Sequence, residues 1–153
     1  MLPDPVVNPV SIDEDHIHVV AAIIWNRFKP DRFLIAQRQK GKHLEDYWEL
    51  PGGKLESGET AWQALQREIT EEINIRVTAA SPFMRVYFRY PERNILLDTW
   101  VVDDYQGEVE AREQQPIAWI GLNEIDRYRF PPADVPILDA IKCSATAETR
   151  RLP

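Results

Sequence analysis

Residues 52–75 read GGKLESGETAWQALQREITEEINI, and this stretch indicates how the middle of the chain folds. Its apolar residues recur at the three-to-four spacing of an amphipathic helix, at Trp62, Leu65, Ile69 and Ile73. Thr60 and Gln63 match the capping box with which such helices begin. We therefore predict a helix over residues 60–73 that directly follows a glycine-containing loop.

Three glutamates of this predicted helix, Glu68, Glu71 and Glu72, lie at positions i, i+3 and i+4. At about 100° per residue they share one arc of the helix, beside its apolar face. Like charges at this spacing destabilise a bare helix, and negative charge in the last turn opposes the helix dipole. Most glutamate clusters on helices are solvated surface. Here, however, the glycines of the preceding loop permit backbone groups to approach a metal-bound phosphate. Because carboxylate oxygens suit Mg²⁺ or Mn²⁺, the pattern predicts a divalent metal site.

The same stretch matches a known pattern, the Nudix box G-x5-E-x7-R-E-U-x-E-E-x-G-U, in which U is a bulky apolar residue. Its glycine, glutamate and arginine positions are filled by Gly53, Glu59, Arg67, Glu68, Glu71 and Glu72. Ile69 and Ile75 fill the two U positions. Asn74 stands where the pattern has glycine, and asparagine tolerates the left-handed backbone expected there. The chain therefore resembles the Nudix hydrolases.

This resemblance implies both a fold and a chemistry. The fold is α/β, with a mixed β-sheet sandwiched between helices (α/β/α). The reaction is attack of water on a phosphorus of a diphosphate linkage, with Mg²⁺, or Mn²⁺ in its place, as cofactor. The implied ligands within the box are the carboxylates of Glu68, Glu71 and Glu72, with the Gly53 carbonyl nearby. Glu59 and Arg67 are expected to support the box through an ion pair.

Outside the box, the chain is similar to the MutT-type branch of the family over roughly residues 17–141. Glu113 stands where these enzymes have a loop glutamate near the metals, although a solvated loop glutamate is the alternative. The resemblance adds Glu113 to the metal ligands and makes the catalytic set Glu68, Glu72 and Glu113. Glu68 is the first candidate for the general base, and a glutamate from a later loop is the alternative.

Three positions match substrate-binding positions of the MutT branch: Arg38, Leu50 and Asp134. MutT has asparagine at the position of Asp134, where it contacts the oxidised guanine. An asparagine side chain both donates and accepts, whereas an ionised aspartate only accepts and suits the amino group of cytosine or adenine. A protonated Asp134 could still serve a guanine. The alternative is a purely structural role, in which Asp134 only caps the helix that follows.

The rest of the chain predicts several strands and a second helix. Runs rich in β-branched and aromatic residues occupy residues 18–26, 32–38, 83–90, 94–103 and 116–121. Residues 32–38 should return antiparallel to residues 18–26 as a hairpin, and a helix over residues 135–143 should be N-capped by Asp134. Together the elements predict one mixed sheet packed by helices. Residues 1–15 are expected to be a flexible lead-in, residues 16–143 a single domain, and residues 144–153 a disordered tail.

The composition of the chain limits the partners and the cellular compartment that we expect for it. The formal net charge of −7 disfavours long nucleic acids as partners, because their phosphates are usually held by lysine and arginine clusters. The longest apolar run, at residues 19–25, is too short to span a bilayer, and no signal peptide is evident at the N-terminus. The single cysteine, Cys143, fits a reducing compartment. We therefore expect a cytoplasmic protein, monomeric or homodimeric, that does not bind membranes.

The function expected from the resemblance is hydrolysis of a nucleoside triphosphate to the monophosphate and pyrophosphate. Removal of a modified nucleotide such as 8-oxo-dGTP from the nucleotide pool is the leading hypothesis. A pyrimidine triphosphate pyrophosphohydrolase, acting on CTP or 5-methyl-dCTP, is the alternative that Asp134 favours. A catalytically silent nucleotide-binding Nudix module is a third hypothesis, but such a module has no need of mutually repelling carboxylates.

Overall fold

The computed structural model describes residues 15–42 and 44–151 of the chain, and within them it contains seven strands and two α-helices. The strands are β1 (Ile17–Ile23), β2 (Arg32–Gln37), β3 (Trp48–Glu49), β4 (Gly52–Lys54), β5 (Arg76–Tyr90), β6 (Arg93–Gln106) and β7 (Ile117–Gly121). The helices are α1 (Ala61–Ile73) and α2 (Val135–Arg151), and two short 3₁₀ helices cover Leu122–Arg127 and Pro132–Asp134. No helix of the described ranges is long and apolar enough to cross a bilayer. The predicted flexible lead-in lies almost wholly outside the described residues.

The strands form two sheets rather than the single sheet that we expected. The first has the order β4-β1-β6-β5, with β1 parallel to β6 and antiparallel to β4, so it is a mixed sheet. The second has the order β3-β2-β7 and is antiparallel. The expected turn between β1 and β2 exists, since the Asn26 amide donates to the Arg32 carbonyl at 2.8 Å and Trp25 bridges Phe33. Beyond that bridge the two strands separate, because β1 is paired on both of its edges within the first sheet.

The apolar residues of β1 divide between the two cores of the molecule. Ala21 and Ile23 belong to one cluster, which also holds Ile137 and Ile141 of α2. Alternate residues of the strand, including Val20 and Ala22, belong to a second cluster with apolar residues of α1, among them Leu65, Ile69 and Ile73. Successive strand side chains point to opposite faces, so β1 is buried from both sides. The expected α/β class, with a mixed sheet between helices, is confirmed.

Helix α1 has the ends that its sequence predicts. Thr60 is the N-cap: its hydroxyl accepts from the Gln63 amide, and the Gln63 side chain accepts from the Thr60 amide, which completes the capping box. Asn74 ends the helix with φ of 68°, in the left-handed region, and its amide donates to the Thr70 carbonyl. The loop of the box therefore meets the helix at a defined point.

The second helix begins at Val135 as predicted, but its predicted cap and its predicted last residue were wrong. Asp134 does not cap it, because a 3₁₀ turn begins at Pro132 and runs into α2, and the Asp134 amide donates to the Pro131 carbonyl at 3.0 Å. At the other end α2 runs to Arg151, although the sequence predicted a helix end at Cys143 and a disordered tail from Ser144. Residues 144–151 contain alanines and neither glycine nor proline, so nothing in them interrupts the helix. The limits of the single domain, residues 16–143, stay a prediction.

Candidate active site

A cavity of about 590 Å³ lies among the N-terminal part of β1, strand β4, helix α1 and the loop that follows β2. Seven of the residues singled out in the sequence line it: Gly53, Glu68, Glu72, Glu113, Arg38, Leu50 and Asp134. Four segments of the sequence thus contribute to it: the loop after β2, the box with the residues just before it, the loop before β7, and the turn before α2. Glu71, Glu59 and Arg67 do not line this cavity.

The two glycines of β4 allow the strand to fit between β1 and α1. A Cβ on Gly52 would lie 1.9 Å from the Val20 carbonyl oxygen, inside the backbone of the neighbouring strand. A Cβ on Gly53 would lie 2.3 to 2.5 Å from the carboxylate atoms of Glu68. Any side chain at these positions would displace either a strand or a carboxylate. The glycines therefore bring the β4 backbone directly against Glu68.

Glu72 is a buried carboxyl group at the centre of the acidic cluster. It is 9% exposed, and its Oε2 accepts a hydrogen bond from the Gly52 amide at 3.1 Å. Burial, reinforced by the nearby charges of Glu49, Glu113 and Glu68, raises its pKa to about 8. Burial also raises the pKa of Glu68, against the opposing effect of Arg67. A site that crowds carboxylates in this way is stabilised by a cation.

Arg67 anchors the loop of the box to helix α1. Its Nε and Nη2 donate to the two carboxylate oxygens of Glu59 at 2.6 and 2.8 Å, and Nη2 also donates to the Lys54 carbonyl at 3.0 Å. The hydrogen bond from Arg67 lowers the pKa of Glu59 to about 2. The Glu59–Arg67 ion pair expected from the resemblance is therefore present, and it is bidentate.

Glu71 lies apart from the other two helix glutamates. Its side chain is 56% exposed, and its Oε2 accepts from Arg67 Nη1 at 3.3 Å. The same Nη1 donates to Glu68 Oε1 at 2.9 Å. The shared arc predicted from the helical spacing is thus divided, with Glu68 and Glu72 facing the cavity and Glu71 at the surface beside Arg67.

A second group of cavity residues surrounds Asp134. The carboxyl of Asp134 is 8% exposed, and burial, reinforced by the charge of Glu49, raises its pKa well above the usual range. Arg38 donates to Glu49 Oε2 at 2.6 Å, and the hydroxyl of Tyr90 accepts from the Ala133 amide at 3.3 Å. Leu50 is buried at the cavity wall. This part of the cavity therefore holds a buried carboxyl whose protonated form is favoured, next to an arginine–glutamate pair.

The sequence reasoning missed several lining residues, notably Glu49, Lys42, Arg93 and Gln115. Glu49 could have been found, because it stands between Trp48 and Leu50 in the stretch that enters the box. The other three carry no local signal, since only the folding of distant loops brings them to the cavity. The neighbouring Trp48 packs edge-on against Tyr128, with ring centroids 5.1 Å apart.

The acidic group suits a hard divalent cation by its donor chemistry. Glu68, Glu72 and Glu113 supply carboxylate oxygens to one cavity, and the pKa values of the first two are raised by burial. Among the residues that the structure describes, however, no three histidine, cysteine, aspartate or glutamate side chains are already arranged as a metal site. Glu68 is engaged by Arg67, and Glu72 by the Gly52 amide. The oxygen donors therefore fit a divalent cation once their side chains reorient.

The chain is similar along most of its length to proteins that are already known. The family described as NUDIX domain matches residues 16–141. The 8-oxo-dGTP diphosphatase of Escherichia coli K12 is 34% identical over 126 residues, which cover 82% of this chain and 96% of that protein. The CTP pyrophosphohydrolase of the same organism is 37% identical over 124 residues, covering 81% and 90%. A solved MutT structure, from work on Aliivibrio salmonicida and Vibrio cholerae, is similar with a TM-score of 0.73 and 34% identity, covering 85% and 99%.

Proposed function

The chain belongs to the NUDIX domain family, and from that membership we propose that it hydrolyses a modified guanine nucleoside triphosphate of the 8-oxo-dGTP type. The products are the monophosphate and pyrophosphate. Relatives named 8-oxo-dGTP diphosphatase at 34% and 36% identity support this proposal. Removal of such a nucleotide before a polymerase can use it is the biological role that follows.

Burial of Asp134 is the observation that carries the choice of base. Burial raises the pKa of this carboxyl and so favours its protonated form, which both donates and accepts. An asparagine amide has the same capacity. The lactam edge of an oxidised guanine presents a carbonyl acceptor and N–H donors, so a neutral Asp134 complements it. An ionised Asp134 would accept only.

The chain's own residues supply the rest of the proposed chemistry. Nudix hydrolases need a divalent metal, and we propose Mg²⁺, with Mn²⁺ able to replace it. When bound, the ion neutralises phosphate oxygens and lowers the pKa of the attacking water. The residues proposed to hold it are Glu68, Glu72, Glu113 and the Gly53 carbonyl, with Glu71 joining them from the surface. Glu68 is the proposed general base for the water, and Glu113 is the alternative.

A second candidate substrate is a pyrimidine triphosphate such as CTP or 5-methyl-dCTP. The identity of 37% to a CTP pyrophosphohydrolase favours it, and so does the aspartate at position 134. For this substrate Asp134 would accept from the exocyclic amino group of cytosine, which the carboxyl can do in either protonation state.

The test is to measure kcat/KM with Mg²⁺ for 8-oxo-dGTP, dGTP, CTP and 5-methyl-dCTP, with Glu72→Gln as the control variant. We expect 8-oxo-dGTP to be strongly preferred over dGTP, and turnover to be lost in the control. Preference for the cytosine nucleotides would transfer the assignment to the pyrimidine branch. Binding of these nucleotides without release of pyrophosphate would instead indicate a silent binding module.

We further propose a cytoplasmic enzyme that is monomeric or homodimeric and does not act on long nucleic acids. The single cysteine suits a reducing compartment, and the net charge of −7 opposes binding to a phosphate backbone. A small triphosphate would avoid this repulsion because a divalent cation held by the carboxylates would offset their charge. Size-exclusion chromatography with light scattering would give the oligomeric state.

A further inference from the structure

We propose that Gln115 is a positioning residue of this enzyme, which holds the loop glutamate Glu113 against the end of helix α1 so that Glu113 and Glu72 face the same cavity. The inference rests on the proposed function, because it assigns Gln115 a role in the same reaction. Gln115 does not act on the substrate in this proposal. It acts through the backbone of Glu113.

The starting point is the C-terminal end of α1, whose last carbonyl groups have no partner within the helix. The loop before β7 supplies partners for them. The Glu110 amide donates to the Ile73 carbonyl at 2.9 Å, and the Arg112 amide donates to the Glu72 carbonyl at 3.0 Å. The loop that carries Glu113 is thus tied to the helix turn that carries Glu72.

Gln115 continues this connection with a buried side chain that uses both ends of its amide group. Its Oε1 accepts from the Glu113 amide at 3.1 Å, and its Nε2 donates to the Glu72 carbonyl at 3.3 Å. The residue is 6% exposed. An amide is the side chain that can accept at one end and donate at the other, so it can join an N–H to a carbonyl. Leucine would fill a similar volume and make neither hydrogen bond.

The loop needs such an anchor because its backbone is constrained at the intervening residue. Gln114 has φ of 61°, in the left-handed region that non-glycine residues adopt only when the surroundings hold them there. From the other side of the loop, Gln39 Nε2 donates to the Glu113 carbonyl at 3.1 Å. Both peptide groups of Glu113 are therefore held by glutamine side chains. The charge of Glu113 then lies close enough to Glu68 and Glu72 to act on both carboxyls.

The decisive experiment is a double-mutant cycle with wild type, Gln115→Leu, Glu113→Gln and the double variant, assayed with Mg²⁺ and the triphosphate that wild type hydrolyses best. Substitution of a residue that orients a metal ligand typically costs about 10- to 100-fold, so we expect Gln115→Leu to lower kcat by that factor. In the Glu113→Gln background the same substitution should change kcat by less than about twofold, because Gln115 would have nothing left to position. KM should change little.

A matched control separates positioning from general stability. The side-chain amide of Gln66 also hydrogen-bonds to the backbone, since its Nε2 donates to the Val77 carbonyl at 3.1 Å. Gln66 does not contact Glu113. Gln66→Leu should lower Tm while leaving kcat within about twofold of wild type. Gln115→Glu keeps an acceptor for the Glu113 amide and loses the donor to Glu72, so its kcat should lie between those of wild type and Gln115→Leu.

Amide hydrogen exchange without metal or substrate gives a readout that does not depend on activity. In Gln115→Leu the amides of residues 110–115 should exchange faster than in wild type, while the amides of β1 and β6 remain protected. This comparison also shows whether the variant is folded. If Gln115→Leu does not fold, Gln115→Glu takes its place in both the cycle and the exchange measurement.

Several outcomes would overturn the proposal. Losses that multiply in the double variant would mean that Gln115 and Glu113 act independently. Full activity in a folded Gln115→Leu, or unchanged exchange in residues 110–115, would mean that Gln115 does not position the loop. Full activity in Glu113→Gln, with turnover still abolished in Glu72→Gln, would contradict the proposal that Gln115 acts through Glu113. The proposed function would not be affected. If wild type hydrolyses none of the triphosphates, the proposed function fails, and the exchange experiment alone decides whether Gln115 anchors the loop.

Discussion

Among the individual residues of the cavity, Asp134 shows how burial can change what a side chain recognises. In water the same carboxyl would be ionised and would only accept hydrogen bonds. At 8% exposure its charged form loses hydration, and the charge of Arg38 compensates only partly for that loss. Its protonated form is then favoured, and with it the ability to donate. A one-atom difference from asparagine therefore need not change the class of base that is bound.

This burial predicts how stability depends on pH at position 134. The pKa of Asp134 is higher in the folded chain than in the unfolded one, so its protonated form favours folding. That contribution is complete below the unfolded pKa of about 3.9 and is lost as pH rises through the folded value. Asp134→Asn should therefore raise Tm more at pH 8 than at pH 4, as measured by circular dichroism in a series of buffers.

The control for this measurement is Asp139→Asn, at an exposed position of α2, the helix that follows Asp134. Its effect on Tm should be small and similar at the two pH values, because the charge there lies in water. An equal effect of Asp134→Asn at pH 4 and pH 8 would mean that Asp134 is ionised in the folded protein. The guanine assignment would then lose its main support.

Among the secondary structure elements, α1 is held at both ends and in its middle, and the site depends on these contacts. Its N-terminus is fixed by the capping box, its middle by the bidentate Glu59–Arg67 pair, and its C-terminus by the left-handed Asn74 and the loop before β7. Glu72 lies in the last turn, two residues before Asn74. A helix fastened at three points can hold a buried, repelling carboxylate in place.

The departure from the Nudix box at Asn74 predicts opposite effects for two substitutions. Glycine adopts a φ of 68° without steric cost. A residue that has a Cβ but no side chain able to hydrogen-bond locally destabilises the folded chain by roughly 1 kcal/mol at this position. Asn74→Gly should raise the free energy of unfolding by about 0.5 kcal/mol, and Asn74→Ala should lower it by about 1 kcal/mol. Urea titration of the three proteins would measure both changes. A more stable Asn74→Ala would contradict the left-handed C-cap.

Considered as a whole molecule, the protein places a cluster of carboxylates inside a chain with a net charge of −7. Glu72 has a pKa of about 8 because burial and three nearby glutamates oppose its ionisation. At higher pH this group lowers the stability of the folded chain. A divalent cation that neutralises the cluster should therefore stabilise the fold as well as enable the reaction.

Metal addition and removal test this linkage directly. A ligand that binds only the folded state at 100 times its Kd adds about 2.7 kcal/mol, so saturating Mg²⁺ should raise Tm by on the order of 5 °C or more. Excess EDTA should reverse the change. The rise should be much smaller in Glu72→Gln, which lacks one proposed ligand. Equal Mg²⁺ effects on wild type and variant would place the ion elsewhere on the surface.

Local sequence determined the parts of this protein that depend on neighbours along the chain. The capping box and the amphipathic face of α1 lie within one helix, so spacing alone predicts them. The Glu59–Arg67 pair and the left-handed backbone at Asn74 were expected from the resemblance to the Nudix box. The glutamates of the box and the α/β class follow from the sequence in the same two ways. Local pattern also led to an error, since Asp134 was expected to cap α2.

Only the tertiary structure decided the properties that depend on burial and on distant segments. The separation of β1 and β2 into two sheets follows from the pairing of β1 with β6, far along the chain. Glu71 is at the surface while Glu72 is buried, because the packing of the loop before β7 and of β4 decides which side of the helix is covered. The raised pKa of Asp134 and the bridge made by Gln115 have the same origin. Desolvation and hydrogen bonding depend on which groups surround a residue in space. For residues far apart in sequence, these neighbours are defined only once the chain has folded.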